Sequence, residues 1–227
     1  LETAGSDTTV TGVKLNDGSS LPADYVVVAT GSAYPDPIKA SHDVASSPEE
    51  RRAQIENAHA TLVSAASVVI VGGGTVGVEL AAEIAGTWGR HKVVTIVTAH
   101  DRLLERMPPR AGKLAIRWLE KKGVWVILND RVADWGGAPK DIAKLRPGSG
   151  DWKLRTEQGR KLRASIVYPC IGGRPLAGPL ETRGVGARGE VRVDVNNGLR
   201  VEGFDNVYAA GDCCGTSEEK NAFTADL

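Results

Sequence analysis

Apolar residues in this chain cluster into short runs separated by polar and glycine-rich turns, and the run Ser67–Val71 (SVVIV) is the most informative. It is β-branched and uninterrupted, which suits a strand covered on both faces of a parallel sheet. Beyond the glycines that follow it, Val76, Leu80 and Ile84 recur at helical spacing and predict an amphipathic helix. Val93–Thr98 (VVTIVT) predicts a second strand, and Val124–Leu128 (VWVIL) a third. Between them Pro108–Lys122 predicts a helix, with Pro109 near its start and Gly123 just past its end. A polar stretch follows, then a hairpin of WKLRT and KLRA turning at Gln158-Gly159. The strand SIVYPC comes last and runs into Gly172-Gly173. In order, these elements make a βαβαβ unit, a β-meander and a return strand ending in glycine.

The first thirty residues repeat only the end of that plan. VTGVKL, the turn Asn16-Asp17-Gly18 and DYVVVATG, ending at Gly31, match the meander and return strand of the central unit. By analogy with the central unit, a strand-glycine-helix opening of roughly 70 residues would precede them. The chain therefore reads as an excerpt from a two-dinucleotide protein. Between the copies, Ser47-Pro48-Glu49-Glu50 supplies an N-cap, a proline at the first helical position and a capping-box glutamate. The helix it starts, reaching about Ala65, reads as a connector between domains.

Composition narrows the partners. The 227 residues carry 28 basic and 28 acidic side chains, a balance that implies neither nucleic acid nor an anionic membrane surface as a partner. Three cysteines, two of them adjacent, make no disulfide framework and point to a reduced, cytoplasmic setting. No apolar run approaches the ~20 residues that span a bilayer. The chain starts at Leu1 rather than methionine, so peripheral membrane attachment through a segment outside it stays open.

The chemistry starts at Gly72-Gly73-Gly74 and Gly77, which form G-x-G-x-x-G between strand and helix. Gly72 permits a tight turn, Gly74 lets a pyrophosphate approach the backbone, and Gly77 lets the helix lie close on the strand. Amides at the helix start, and the positive end of its dipole, then face phosphates. This is a dinucleotide site. The acid that would hold an adenosine ribose is expected about 20 residues past the glycines. That position falls on Thr98, which is not acidic. His100 and Arg102 follow and suit a 2′-phosphate, whereas Asp101 argues for NADH if the strand ends later.

Three motifs stand in order: VVVATGS (Val26–Ser32), VVIVGGGTVGVE (Val68–Glu79) and NVYAAGDCCG (Asn206–Gly215). Together they resemble the two-dinucleotide flavoproteins of the pyridine nucleotide-disulfide oxidoreductase type. Within these, GVELAAEI and GDCCGTSEEKNAF are most similar to the apoptosis-inducing-factor-like NAD(P)H:quinone oxidoreductases, the branch that contains the ferroptosis suppressor. The resemblance implies an α/β fold in which a Rossmann-like NAD(P)-binding domain, residues 67–175, is inserted in an incomplete FAD-binding domain. The parts of the latter are residues 1–46 and 176–227, with 47–66 as the connecting helix.

The resemblance also implies roles. Ala29, Thr30 and Gly31 match the motif passing the FAD adenosine portion. Gly211 and Asp212 match the site where an aspartate accepts hydrogen bonds from the ribityl-pyrophosphate region. Lys220, Asn221 and Ala222 match the segment beside the flavin ring, where a cation stabilises the reduced form; a solvated lysine in an EEK run is the other reading. Glu79 matches a glutamate facing the nicotinamide–flavin contact, although the helix dipole alone favours a carboxylate there. Gly73, Val76 and the closing Gly172 complete the expected cofactor-binding set. The implied cofactors are FAD and NAD(P)H, and the implied acceptor is quinone-like. A reductase of a protein carrier or disulfide, and a non-catalytic NADH-binding interaction protein, are the alternatives. The excerpt alone is expected to be inactive and not to retain FAD, because the flavin domain's opening lies outside it. Cys213-Cys214 is vicinal and unsuited to an unstrained disulfide, Cys170 reads as a buried small apolar residue, and the four histidines lack metal-ligand spacing.

Overall fold

The strand SVVIV does lie between two apolar layers, and the rest of the central fold follows from that. The computed structural model describes residues 1–3, 8–35, 37–39, 47–137, 150–178, 180, 184–185 and 191–215. In chain order the first strands are β1 (Glu2–Thr3), β2 (Val10–Lys14), β3 (Ser20–Pro22), β4 (Val26–Val28) and β5 (Ser32–Ala33). Next come α1 (Pro48–Ser64), β6 (Ser67–Val71), α2 (Thr75–Trp88), β7 (Val93–Val97), α3 (Pro109–Lys121) and β8 (Trp125–Ile127). A meander follows, β9 (Val132–Asp134), β10 (Trp152–Thr156) and β11 (Lys161–Ala164), and then the return strand β12 (Ile166–Pro169). The last strands are β13 (Arg174–Pro175), β14 (Gly184–Val185), β15 (Val191–Arg192) and β16 (Val207–Ala209). The chain separates into two compact units, residues 34–172 and residues 1–33 with 173–227.

In the central unit β12, β6, β7 and β8 form a parallel sheet in that order. Val68 and Ile70 face Ala81, Ile84 and Ala85 of α2 and Leu119 of α3. Val69 and Val71 face Val132, Leu154 and Ala164 of the meander. Alternation along one strand thus fills two cores, and each fully buried valine or isoleucine contributes about 1.5–3 kcal/mol of apolar transfer. The capping box at Ser47 and Glu50 is formed, with Ser47 Oγ accepting from the Glu50 amide and Glu50 Oε2 accepting from the Ser47 amide. At the other end of α1, the buried Lys92 ammonium donates to the carbonyls of Val63 at 2.9 Å and Ala65 at 2.6 Å. Burial pushes the Lys92 pKa down from its ordinary value. With Ala65 in the core, the helix read as a connector groups with the central unit, and the division falls at Ala33/Tyr34 instead of near residue 46.

The flanking unit draws on both ends of the chain. β4 runs parallel to β16, pairing Val26 with Val207, Val27 with Tyr208 and Val28 with Ala209. β1, β2 and β3 form an antiparallel sheet, β5 pairs with β13, and β14 pairs with β15. Asn206 stitches the ends together. Its Oδ1 accepts from the Val10 amide at 2.9 Å, and its Nδ2 donates to the Val10 and Asp24 carbonyls. Val10, Val28, Val193, Val207, Ala209 and Cys213 form the core beneath.

Candidate dinucleotide site

The glycine turn is shaped by close approach at two points and open space at a third. Gly72 has φ +122°, and a Cβ there would lie 2.1 Å from the Cys170 carbonyl oxygen on the neighbouring return strand. A Cβ on Gly77 would stand 2.0 Å from the Gly72 oxygen, so helix and turn touch backbone to backbone. Gly73 is pressed against Leu103 and Thr98. At Gly74, by contrast, a Cβ would meet nothing within 4 Å. Gly74 is also the N-cap of α2 and offers no side-chain cap, which leaves first-turn amides for an external acceptor. Val76 is half-buried against the core, and Glu79 is exposed in the helix's second turn. Gly172, with φ +100°, closes the return strand beyond Cys170.

Thr98 directly follows β7 and is 3% exposed. Its Oγ1 accepts from the His100 amide at 3.3 Å, and its carbonyl accepts from the Asp130 amide at 3.0 Å. The two basic side chains beyond it are turned onto their own loop. His100 pairs with the Glu105 carboxylate, and Arg102 Nη2 donates to the Glu105 carbonyl at 2.6 Å. Asp101 is exposed. Asp130 is buried behind this loop. Burial opposes its ionisation, but hydrogen bonds from Thr156, Gln158 and Arg131 and the charge of Arg160 outweigh that and hold its pKa below the ordinary carboxylate value.

In the flanking unit, Ala29 and Thr30 are exposed at the end of β4, and Thr30 Oγ1 donates to the Leu176 carbonyl. Gly31 has φ +68°, and its oxygen accepts from the Leu176 amide at 2.9 Å. Beyond β16, Gly211, with φ +78° and open space at its missing Cβ, presents the exposed Asp212 on a single 3-10 turn, Gly211–Cys213. Ser32 Oγ donates to Asp212 Oδ2 at 2.6 Å, and Arg192 Nη1 donates to the Asp212 and Cys214 carbonyls, both at 3.3 Å. Ser32 and Arg192 are supports that the sequence pattern does not single out. Lys220, Asn221 and Ala222 lie outside the described residues.

The cysteines are placed for packing. Cys170 is buried, and burial pushes its thiol up to about 12. The buried Cys213 thiol donates toward the carbonyls of Val28 and Ala210. Among the described residues no group of His, Cys, Asp or Glu has the arrangement of a metal site.

The family model described as pyridine nucleotide-disulphide oxidoreductase matches residues 3–225. The chain belongs to that family. Human ferroptosis suppressor protein 1 is 31% identical over 220 residues, covering 95% of this chain and 56% of that protein. Apoptosis-inducing factor homolog B of Dictyostelium discoideum is 31% identical over 226 residues, covering 93% and 57%. Among solved structures, the NAD-dependent persulfide reductase of A. fulgidus superposes with a TM-score of 0.62 at 25% identity, covering 94% of this chain and 38% of that one. The chain thus spans about half the length of the curated relatives it matches.

As an oxidoreductase family of FAD and NAD(P)H, the pyridine nucleotide-disulphide group supplies the cofactors of this chain. The geometry fits them. Open space at Gly74 beside the uncapped start of α2 suits a pyrophosphate, and Asp212 at a strand end suits a ligand hydroxyl.

Proposed function

We propose that the protein containing this chain is a flavoprotein that oxidises NAD(P)H and reduces a quinone-like acceptor. The observation that carries the reading is the open Gly74 cradle at the uncapped start of α2, in a chain whose curated relatives include ferroptosis suppressor protein 1. The nicotinamide supplies hydride and the flavin relays electrons when both are bound.

The chain's own residues bind and orient. The α2 amides and Gly74 hold the nucleotide phosphates, with Gly73 and Val76 shaping the turn and Gly172 closing the neighbouring strand. Asp212 accepts from a flavin-side hydroxyl and is held in place by Ser32. Ala29, Thr30 and Gly31 line the adenosine portion of the flavin cofactor, and Gly211 gives Asp212 its turn. Glu79 orients the nicotinamide, Lys220 stabilises negative charge on the reduced flavin, and Asn221 and Ala222 flank it. Thr98 leaves the ribose position without a carboxylate, so both NADH and NADPH are substrates, with Arg102, four residues on, as the cation for a 2′-phosphate. Cys170, buried and with its thiol pushed up to about 12, packs in the core and takes no part in the proposed electron transfer.

Stopped-flow reduction of the flavin-loaded full-length protein by NADH and NADPH, followed by turnover with a soluble quinone, a disulfide and a ferredoxin-type carrier, tests the reading. Quinone turnover at least tenfold faster than the others supports it. Fast flavin reduction with a disulfide or carrier as the best acceptor overturns it.

A further inference from the structure

Helix α3 does two jobs with its two sides. Gly112 and Leu119 are buried, while Ala115 and Ile116 are half-buried against the sheet core. On the opposite side Arg110, Lys113, Leu114, Arg117, Trp118 and Lys121 are all exposed. Their spacing of three and four residues puts them on one continuous stripe. Leu114 is 63% exposed and Trp118 41%, which is unusual company for four cations. Lys122 adds a fifth, its Nζ 5.4 Å from the centre of the Trp118 ring. Glu120 is the helix's one acid and lies at the stripe's edge. Among the described residues, none of the four stripe cations is held in an ion pair.

A chain with 28 basic and 28 acidic residues has no net charge to spread, so this stripe is a local concentration. A face that only meets water has no use for an exposed leucine and tryptophan between its cations. An anionic bilayer surface uses both. Cations meet headgroup phosphates and carboxylates, while leucine and tryptophan enter the boundary between headgroups and acyl chains. A second copy would set one positive stripe against another. Nucleic acid would take the cations but offers nothing to Leu114. Among the described residues no helix is long and apolar enough to cross a membrane, so the contact is with the surface.

We infer that α3 docks the central unit on anionic phospholipid, with Leu114 and Trp118 inserted at the interface and Arg110, Lys113, Arg117 and Lys121 on the headgroups. The test is co-sedimentation of the full-length, flavin-loaded protein with phosphatidylcholine vesicles, with and without about 30% phosphatidylserine, at about 0.05 and 0.5 M salt. Binding is expected to need phosphatidylserine and to fall about tenfold or more at high salt. The double variant R117E/K121E should weaken it by about tenfold or more, and L114S/W118S comparably while keeping its salt dependence. Brominated acyl chains should quench a component of the tryptophan fluorescence that W118F removes. All six residues are exposed, so unchanged circular dichroism and melting are expected; if R117E/K121E unfolds, K113Q/R117Q takes its place. Variants that bind as wild type, retention by a duplex oligonucleotide but not by vesicles, or a dimer in sedimentation equilibrium that R117E/K121E abolishes would each overturn the inference.

Discussion

Ser32 and Asp212 stand 180 positions apart and share a hydrogen bond of 2.6 Å, the serine hydroxyl donating to the carboxylate. One of the aspartate's oxygens is thereby fixed, leaving the other to accept from a ligand. In the full-length protein, Asp212→Asn should weaken FAD binding by about tenfold or more, the effect of losing a charged acceptor worth roughly 1.5–3 kcal/mol. Ser32→Ala should do less, because it frees the carboxylate without removing it. Neither should alter NAD(P)H binding by the central unit. Titration of the apoprotein with FAD, and separately with the nicotinamide coenzyme, reads both effects.

The glycines of the turn should separate folding from binding. Gly77→Ala places a Cβ 2.0 Å from the Gly72 oxygen, so backbone must move, and a loss of about 1–3 kcal/mol or more is expected. Gly74→Ala meets nothing within 4 Å and should leave the stability within about 0.5 kcal/mol of wild type, yet weaken coenzyme binding about tenfold. Thermal melts and coenzyme titrations of the two variants check this. Equal loss of binding at unchanged stability in both would contradict it.

Coenzyme choice should turn on Thr98. With no carboxylate at the end of β7, wild-type kcat/KM for NADH and NADPH should be comparable. Thr98→Glu should favour NADH by about tenfold or more, through a new ribose contact and repulsion of a 2′-phosphate. Thr98 is packed under Gly73, so the variant also needs a melting control. An unchanged ratio in a stable variant would make Thr98 purely structural.

Acid stability should carry the signature of Asp130. Its folded pKa lies below the ordinary 3.8, so it adds stability that is complete above that value and is lost as pH falls through the folded pKa. Asp130→Asn should cost about 1–3 kcal/mol near neutral pH, and the gap from wild type should narrow below about pH 4. Urea melts of both proteins from pH 7 to pH 3 measure it. A gap constant over that range would remove Asp130 from the acid limb.

Much of the central unit was legible because each of its signals is local. β6, β10 and β11 match the expected runs residue for residue, and α3 and β7 each end within one residue of expectation. Pro109 and Gly123 mark one, and a block of β-branched residues marks the other. Strand pairing at a distance was not legible. No local pattern says that Arg174–Pro175 pairs with Ser32–Ala33, that Ser32 reaches Asp212, or that Lys92 turns inward onto a helix 27 residues earlier. A lysine at the edge of a strand reads as solvated until the carbonyls it meets are known. The same holds for the basic residues near Thr98. The sequence places His100 and Arg102 near a ribose, but only the fold shows both engaged by Glu105. In α3 the apolar spacing identifies a helix, while the exposure of Leu114 and Trp118 depends on which side the sheet occupies.

Lys92, held by the carbonyls of Val63 and Ala65 at the end of α1, ties the helix to the sheet. Peeling α1 from β7 would strand a dehydrated cation, or require water to reach it first, so partial detachment has no cheap intermediate. The amides of α1 should then exchange with deuterium at the pace of β6 and β7, not at the pace of a frayed surface helix. A segment that composition alone would assign to a loose tether is, by one buried ammonium, fastened to the sheet it precedes.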